Sequence, residues 1–289
     1  MNGENNPAQL PIGLFDSGVG GLTVLAALLK RLPDESYYFL GDTARLPYGT
    51  KSSGTIVRYS LQTTQRLVEK GIKLLVVACN TATAAALPVL QKTYAPLPVI
   101  GVIQPGARAA CKAVQGKTGG GIVVMATEST INSCAYTNAI HAINPDVPVR
   151  GVGATLFVSL AEEGWMSGPI AEGIAARYLE PVLQENKPDC IVLGCTHFPP
   201  LAPAIAAVAG PDVVLVDSAA TTAEAVEQEL ERLALVRPTV SDAKQDAAKA
   251  NPLQRVRFYT TDAPERFARV GSLFLNTPIS SDSLELVSL

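Results

Sequence analysis

The sequence predicts an α/β fold of two similar domains, each a mostly parallel sheet flanked by helices, the two related by internal pseudo-symmetry. Three observations lead there. Short apolar runs alternate with helix-like segments almost throughout, the pattern of a sheet covered on both faces. Two cysteines occupy near-copies of one context, Val76-Val77-Ala78-Cys79-Asn80-Thr81 and Val192-Leu193-Gly194-Cys195-Thr196-His197. Finally, 289 residues exceed the usual length of one domain and suffice to bury a full core.

The elements follow in order. Ile12 to Phe15 reads as the first strand and Leu22 to Leu32 as a helix stopped by Pro33. Tyr37 to Leu40 is a second strand, followed by a loop rich in turn residues, Gly41 to Ser53. Thr55 to Lys70 has helical periodicity and ends at Gly71; Leu74 to Ala78 is the strand that delivers Cys79, and an Ala-rich helix follows. A second series begins after Val99 to Val102. Pro105 starts a helix to about Val114, Ile122 to Ala126 is a strand, and Ser129 to Ile143 is helical. Val149 to Val152, a helix over Leu156 to Glu163, a helix from Ile170 to Gln184 and the strand Cys190 to Leu193 complete it. Val213 to Val216 then runs into Asp217-Ser218-Ala219, echoing Phe15-Asp16-Ser17-Gly18 and supporting an internal repeat. Arg237 to Pro252 is polar, with a proline near each end, and reads as a linker; Val256 to Thr260 and Ala263 to Leu275 add one more strand and helix. The first domain is therefore expected over 12–103 and 213–289, the second over 104–212, with 1–11 a disordered tail.

Composition narrows the function. Hydrophobic residues make up 47% and charged residues 17%, which excludes disorder, and no apolar run is long enough to span a membrane. A net charge of -3 with scattered Lys and Arg gives no basic field for nucleic acid. Met1 to Gln9 lacks the basic start and apolar core of a secretory signal. Five cysteines, an odd number, point to reduced thiols in the cytoplasm. Cys190, Cys195 and His197 lie close in sequence, but Cys190 and Cys195 point to opposite faces of a strand and His141 is the only other histidine. No metal and no cofactor are expected. The partners expected are a small-molecule substrate and, at most, a second copy of the chain in a homodimer.

Ligands of open α/β sheets bind where strands end, and both thiols stand there. Backbone N–H groups at a helix start lower a thiol's pKa from about 8.5 and also hold a carboxylate. Two such thiols suggest a paired acid and base, although burial alone also explains a strand-end cysteine. After the first strand, Asp16-Ser17-Gly18-Val19-Gly20-Gly21 offers an acceptor for an ammonium group and a donor for a carboxylate. Its spacing fits neither a dinucleotide fingerprint nor a P-loop. The loop Gly41-Asp42-Thr43-Ala44-Arg45-Leu46-Pro47-Tyr48-Gly49 can cradle a second anion beside Tyr48, or be an ordinary turn with an Asp42–Arg45 ion pair. Thr127 and Thr130 supply hydroxyls at another strand end or simply cap a helix. His197 either tunes Cys195 or is an ordinary loop histidine, and Glu162 alone reads as solvated at a helix end. Together the elements fit removal and return of a carbon-bound proton on a small zwitterion, one thiolate abstracting and the opposite thiol donating.

The motifs Phe15 to Gly21, Gly41 to Gly49, Ala78-Cys79-Asn80-Thr81-Ala82-Thr83 and Leu193-Gly194-Cys195-Thr196-His197-Phe198-Pro199 resemble glutamate racemase, the cofactor-independent amino acid racemase of bacteria. Val216-Asp217-Ser218-Ala219 and Phe258 to Leu275 extend the resemblance to nearly everything after Pro11. It implies a substrate held between two α/β domains and a supply of D-glutamate for peptidoglycan. It implies that Cys79 deprotonates D-glutamate and Cys195 deprotonates L-glutamate, with Asp16, Glu162 and His197 assisting. Ser17, Tyr48, Gly49, Asn80, Thr81, Thr127, Thr130 and Thr196 would hold the substrate along with Asp16 and His197. Ala154-Thr155 departs from the Cys-Pro that the family often carries before the helix of Glu162. Three rivals use parts of the same pattern: an aspartate or related racemase, a cysteine hydrolase that leaves one thiol dispensable, and a protein that binds glutamate without exchanging its α-proton.

Overall fold

The structure, a computed structural model, describes residues 6–117, 119–238 and 252–289. Its strands form two sheets in which every pairing is parallel. The first contains β1 (Ile12–Asp16), β2 (Tyr37–Gly41), β3 (Leu74–Val77), β4 (Val99–Gly101), β9 (Val256–Thr260) and β10 (Leu284–Leu286), in the order β10-β9-β2-β1-β3-β4. The second contains β5 (Ile122–Ala126), β6 (Val149–Gly153), β7 (Cys190–Leu193) and β8 (Val214–Asp217), in the order β6-β5-β7-β8. Every residue of β1, β3, β5 and β7 is buried, which explains why all but Asp16 at the end of β1 are apolar: helices cover both faces of the sheets. β6 stands at an edge and is half exposed.

The internal repeat lies in this strand order. β2-β1-β3-β4 and β6-β5-β7-β8 are the same arrangement, so β3, which leads to Cys79, is equivalent to β7, which leads to Cys195. The Asp-Ser recurrence is a false echo, because Asp16 ends β1 whereas Asp217 ends β8, the counterpart of β4. β8 also corrects the expected boundary at 213: it pairs with β7, and the chain rejoins the first sheet only at β9. Between them, α10 (Ser218–Arg232) packs on both α1 (Leu22–Arg31) and α4 (Ile103–Ala113), joining the two halves by a helix rather than a free linker.

Other expectations shift for local reasons. The helix expected over 129–143 is two, α5 (Glu128–Asn132) and α6 (Ala135–His141), because Cys134 takes a left-handed φ of 55° and Ser133 diverts the ladder by accepting from the Ala135 N–H. α4 starts before Pro105, whose missing N–H costs nothing in a first turn. β10 was not expected, since only Leu284 and Leu286 mark its three residues. Of the expected tail, 1–5 lie outside the described residues, while Pro7–Gln9 form a short turn that buries Ala8. Of the expected linker, 239–251 lie outside them, and Arg237 is tied into the body by its N–H bond to Glu35 Oε1.

That last contact belongs to a buried ionic knot opposite the strand ends that carry the thiols. Lys73 Nζ lies 2.6 Å from Glu35 Oε2, with side-chain exposures of 0% and 2%, and it also donates to the carbonyls of Ala8 and Leu235. Burial pushes the Lys73 pKa down, opposed by Glu35. One cation thus fastens the N-terminal turn and the exit from α10 to the first sheet. Lys73→Met should destabilise the chain by about 3–5 kcal/mol in urea unfolding, because it leaves the buried Glu35 carboxylate without its close cation, Arg237 Nε lying 3.6 Å away. A loss below about 1 kcal/mol would show that Glu35 is relieved in some other way.

Candidate active site

Cys79 and Cys195 leave equivalent strands but meet different surroundings. Cys79 caps α3 (Asn80–Thr93): its Sγ accepts from the Ala82 N–H at 3.4 Å and lies 3.6 Å from Ser17 Oγ. Cys195 caps no helix, contrary to expectation, because the chain turns through Pro199–Leu201 before α9 (Ala202–Ala209) begins. In place of helix amides it has His197, whose Nδ1 lies 3.9 Å from Cys195 Sγ. The other ring nitrogen, Nε2, meets Glu162 Oε1 at 3.1 Å, and Arg266 donates to Glu162 Oε2 at 2.6 Å. Glu162, the last residue of α7 (Leu156–Glu162), is therefore engaged rather than solvated.

Both thiols line one cavity of about 260 Å³ between the two sheets. Of the residues singled out from sequence, Ser17, Tyr48, Gly49, Cys79, Asn80, Thr81, Thr127, Thr130, Cys195, Thr196 and His197 line it. Asp16 and Glu162 do not; they stand behind the lining. The wall also includes Pro47, Gly194 and Thr155, which the motifs contain but which were not expected to line the site, and Thr50, Glu128, Val158 and Ser159. Position after a strand was the available signal for Glu128 and Thr155, which follow β5 and β6 as Ser17 follows β1.

Several polar groups on the wall are aimed by groups behind them. Asn80 Oδ1 accepts from Tyr136 OH at 2.7 Å, while its buried Nδ2 has no partner among the described residues. Thr81, Thr127 and Thr130 form a triangle of hydroxyls 3.1 Å apart, so Thr127, although at a helix N-cap, bonds hydroxyls rather than a backbone N–H of its helix. Tyr48 donates to Asp42 Oδ2, and Arg45 donates to the same oxygen at 2.7 Å, so the Asp42–Arg45 pair of the turn fixes the aromatic wall. Gly20 answers a steric need rather than an anion: a Cβ there would lie 2.3 Å from Thr196 Oγ1 and 2.4 Å from His197 Nδ1. Thr23 Oγ1 donates to the Thr196 carbonyl at 2.9 Å across the same contact.

The charges follow from burial and these partners. Burial, then the Asp16 charge, pushes the Cys79 thiol up to about 12 against the Ala82 amide and Ser17. Burial raises Asp16 despite His197 and the backbone N–H groups of Gly18, Gly21 and Ser17, and its Oδ1 has no hydrogen-bond partner among the described residues. Burial alone would lower His197, but hydrogen bonds to Cys195 and Glu162, with the charges of Cys195 and Asp16, lift it to about 10. Glu162 is raised by burial and lowered overall by His197 and Arg266. The site thus presents a neutral thiol on one domain and a thiol facing an imidazolium on the other. Among the described residues, no group of three His, Cys, Asp or Glu side chains is placed to hold a metal ion.

A doubled α/β scaffold that brings one thiol from each half into a single cavity is the arrangement that moving a proton between two faces of one carbon requires. Comparison with known proteins assigns the chain to a family of racemases. Residues 19–226 match the Asp/Glu/Hydantoin racemase family, to which the chain belongs. It is 48% identical over 264 residues to a glutamate racemase of Geobacter metallireducens, covering 91% of this chain and 92% of that protein. It is 43% identical over 286 residues to a glutamate racemase of Neisseria meningitidis, covering 99% of each. The crystal structure of glutamate racemase from Francisella tularensis in complex with D-glutamate superposes with a TM-score of 0.84 at 37% identity, covering 97% of this chain and 98% of that one.

The raised His197 pKa makes a stability prediction. The folded chain holds the imidazole proton more tightly than the unfolded one, so the gain is complete below the ordinary value of 6.5 and is lost as pH rises through about 10. The stability margin of the parent over His197→Asn, read from urea midpoints, should shrink steadily across that window. A margin constant from pH 6 to about 10.5 would contradict the imidazolium.

Proposed function

We propose that this chain is a cytoplasmic glutamate racemase that interconverts L- and D-glutamate without a cofactor and supplies D-glutamate for peptidoglycan. The observation that carries the proposal is the pair of thiols brought from separate domains into one cavity. The α-hydrogen of an amino acid is a weak acid, so catalysis requires a base on one face, an acid on the other and donors for the charge that develops on the carboxylate. Asn80, Thr81 and Thr196 follow the two cysteines and provide such donors, with Thr127 and Thr130 beside Thr81.

The unequal surroundings suggest the starting charge state. His197 Nδ1, 3.9 Å from Cys195 Sγ, is placed to support a negative sulfur there during the reaction, while burial and the nearby Asp16 charge favour the neutral form of Cys79. In that state Cys195 removes the proton of L-glutamate and Cys79 protonates the opposite face. The product state is the mirror arrangement, thiol at Cys195 and thiolate at Cys79, and it accepts D-glutamate. Each turnover therefore requires the two sulfurs to hold one proton between them. Ser17 and the Ala82 amide would carry the Cys79 thiolate, as His197 carries that of Cys195.

Purified protein should abolish the circular dichroism of L-glutamate with time. Cys79→Ala and Cys195→Ala should each lower that rate by about 10³-fold or more while leaving the fold intact. Racemisation surviving in either variant excludes the two-thiol assignment; hydrolytic chemistry retained in Cys79→Ala would favour a Cys195–His197 hydrolase instead. Aspartate turned over faster than glutamate would reassign the substrate.

Isotope exchange tests the division of labour separately. In deuterated water at early times, D-glutamate formed from L-glutamate should carry solvent deuterium while the remaining L-glutamate stays largely unlabelled. Equal early labelling of both pools would mean that one base serves both faces.

A further inference from the structure

The helix after β9, α11 (Pro264–Leu275), packs on α1 of the first domain, yet two of its side chains reach a pair held by the second. Arg266 Nη2 donates to Glu162 Oε2 at 2.6 Å. Phe274 stands edge-on to the His197 ring, with centroids 5.4 Å apart and an interplanar angle of 90°. Positions i and i+8 share one helical stripe, so a single face of α11 supplies both contacts.

We propose that Arg266 is a positioning residue for the racemisation: it anchors one oxygen of Glu162 so that the other stays on His197 Nε2, and it makes the charge of His197 depend on contact between the domains. The inference rests on the two-thiol reading of the site. Glu162 ends α7, where a carboxylate held on one side only can swing to solvent. Bridging it between an imidazole and a guanidinium uses both oxygens and fixes the orientation of the carboxylate. Arg266 is itself half exposed, and an ordinary surface pair of that kind contributes little. What sets this pair apart is its partner, 14% exposed and bonded at the same time to a buried histidine beside Cys195.

The groups facing the pair are few. Glu162 is faced by His197 and Arg266, and His197 by Cys195, Glu162 and Asp16, with the Phe274 edge against its ring. Arg266 helps to keep the Glu162 carboxyl ionised against its burial. Without the guanidinium, Glu162 takes up a proton at higher pH, and the imidazolium loses the anion that holds it beside Cys195.

The test is the pH dependence of kcat/KM for the full chain and for Arg266→Gln, Arg266→Lys and Glu162→Gln, with urea midpoints as the folding control. Arg266→Gln should move the acid limb to higher pH, its loss growing as pH falls, and Arg266→Lys should restore part of the shift. About 0.5 M salt should move the parent limb in the same direction and leave Arg266→Gln where it is. An acid limb unmoved by Arg266→Gln overturns the proposal. If Glu162→Gln is impaired while Arg266→Gln keeps the parent profile, only the positioning role falls. If Glu162→Gln racemises at the parent rate, the assisting role of the Glu162–His197 pair falls, and the positioning role with it.

Discussion

Two sulfur atoms borne by different sheets have to share one small cavity, and the rest of the molecule answers to that requirement. Burial raises the cost of a thiolate, as the Cys79 value near 12 expresses. Each thiol therefore needs a local source of positive potential. Cys79 takes it from the start of α3, through the Ala82 amide, and Cys195 takes it from His197. Those supports need supports in turn: His197 needs Glu162, and Glu162 needs a cation from the other domain. The polar chain behind the cavity is thus a direct result of hiding two reactive groups from water.

The fold supplies symmetry where position matters and breaks it where charge matters. Equal strand orders place β3 and β7 at the same point in each half, so the thiols emerge from equivalent sites. Beyond them the halves diverge. Asn80 begins a helix of 14 residues, whereas Pro199 and Pro200 force a tight turn before α9 and deprive Cys195 of a helix N-terminus. A doubled scaffold can in this way hold two chemically unlike environments, as a reaction with one acid and one base demands.

Much of this was legible from residues alone, and the failures have physical causes. The central strands were visible because two-sided burial leaves uninterrupted apolar runs, and the cysteine contexts because each strand delivers its thiol at the same offset. β10 was invisible because pairing on an edge needs only three residues and two leucines. The break at Cys134 was hidden because a non-glycine residue in a left-handed conformation carries no sequence mark. Glu162 and Arg266 are 104 residues apart, and Asn80 and Tyr136 are 56 apart; contacts of that range have no periodicity to betray them. Gly20 was read as part of a loop that favours anions, whereas the space its missing Cβ leaves is filled by the opposite domain.

The threonine triangle has a consequence of its own. Three hydroxyls at mutual distances of 3.1 Å can circulate their protons in either sense, each donating to the next and accepting from the last, with no call on solvent. A guest that accepts a hydrogen bond from Thr81 must open the circuit and sacrifice an existing bond. A neutral oxygen recovers no more than it breaks, while a carboxylate forms the stronger, charge-assisted bond. The ring therefore acts as a threshold on occupancy, closed to weak acceptors and opened by anions. Since Thr81 comes from one domain and Thr127 and Thr130 from the other, the threshold exists only while the halves stand together.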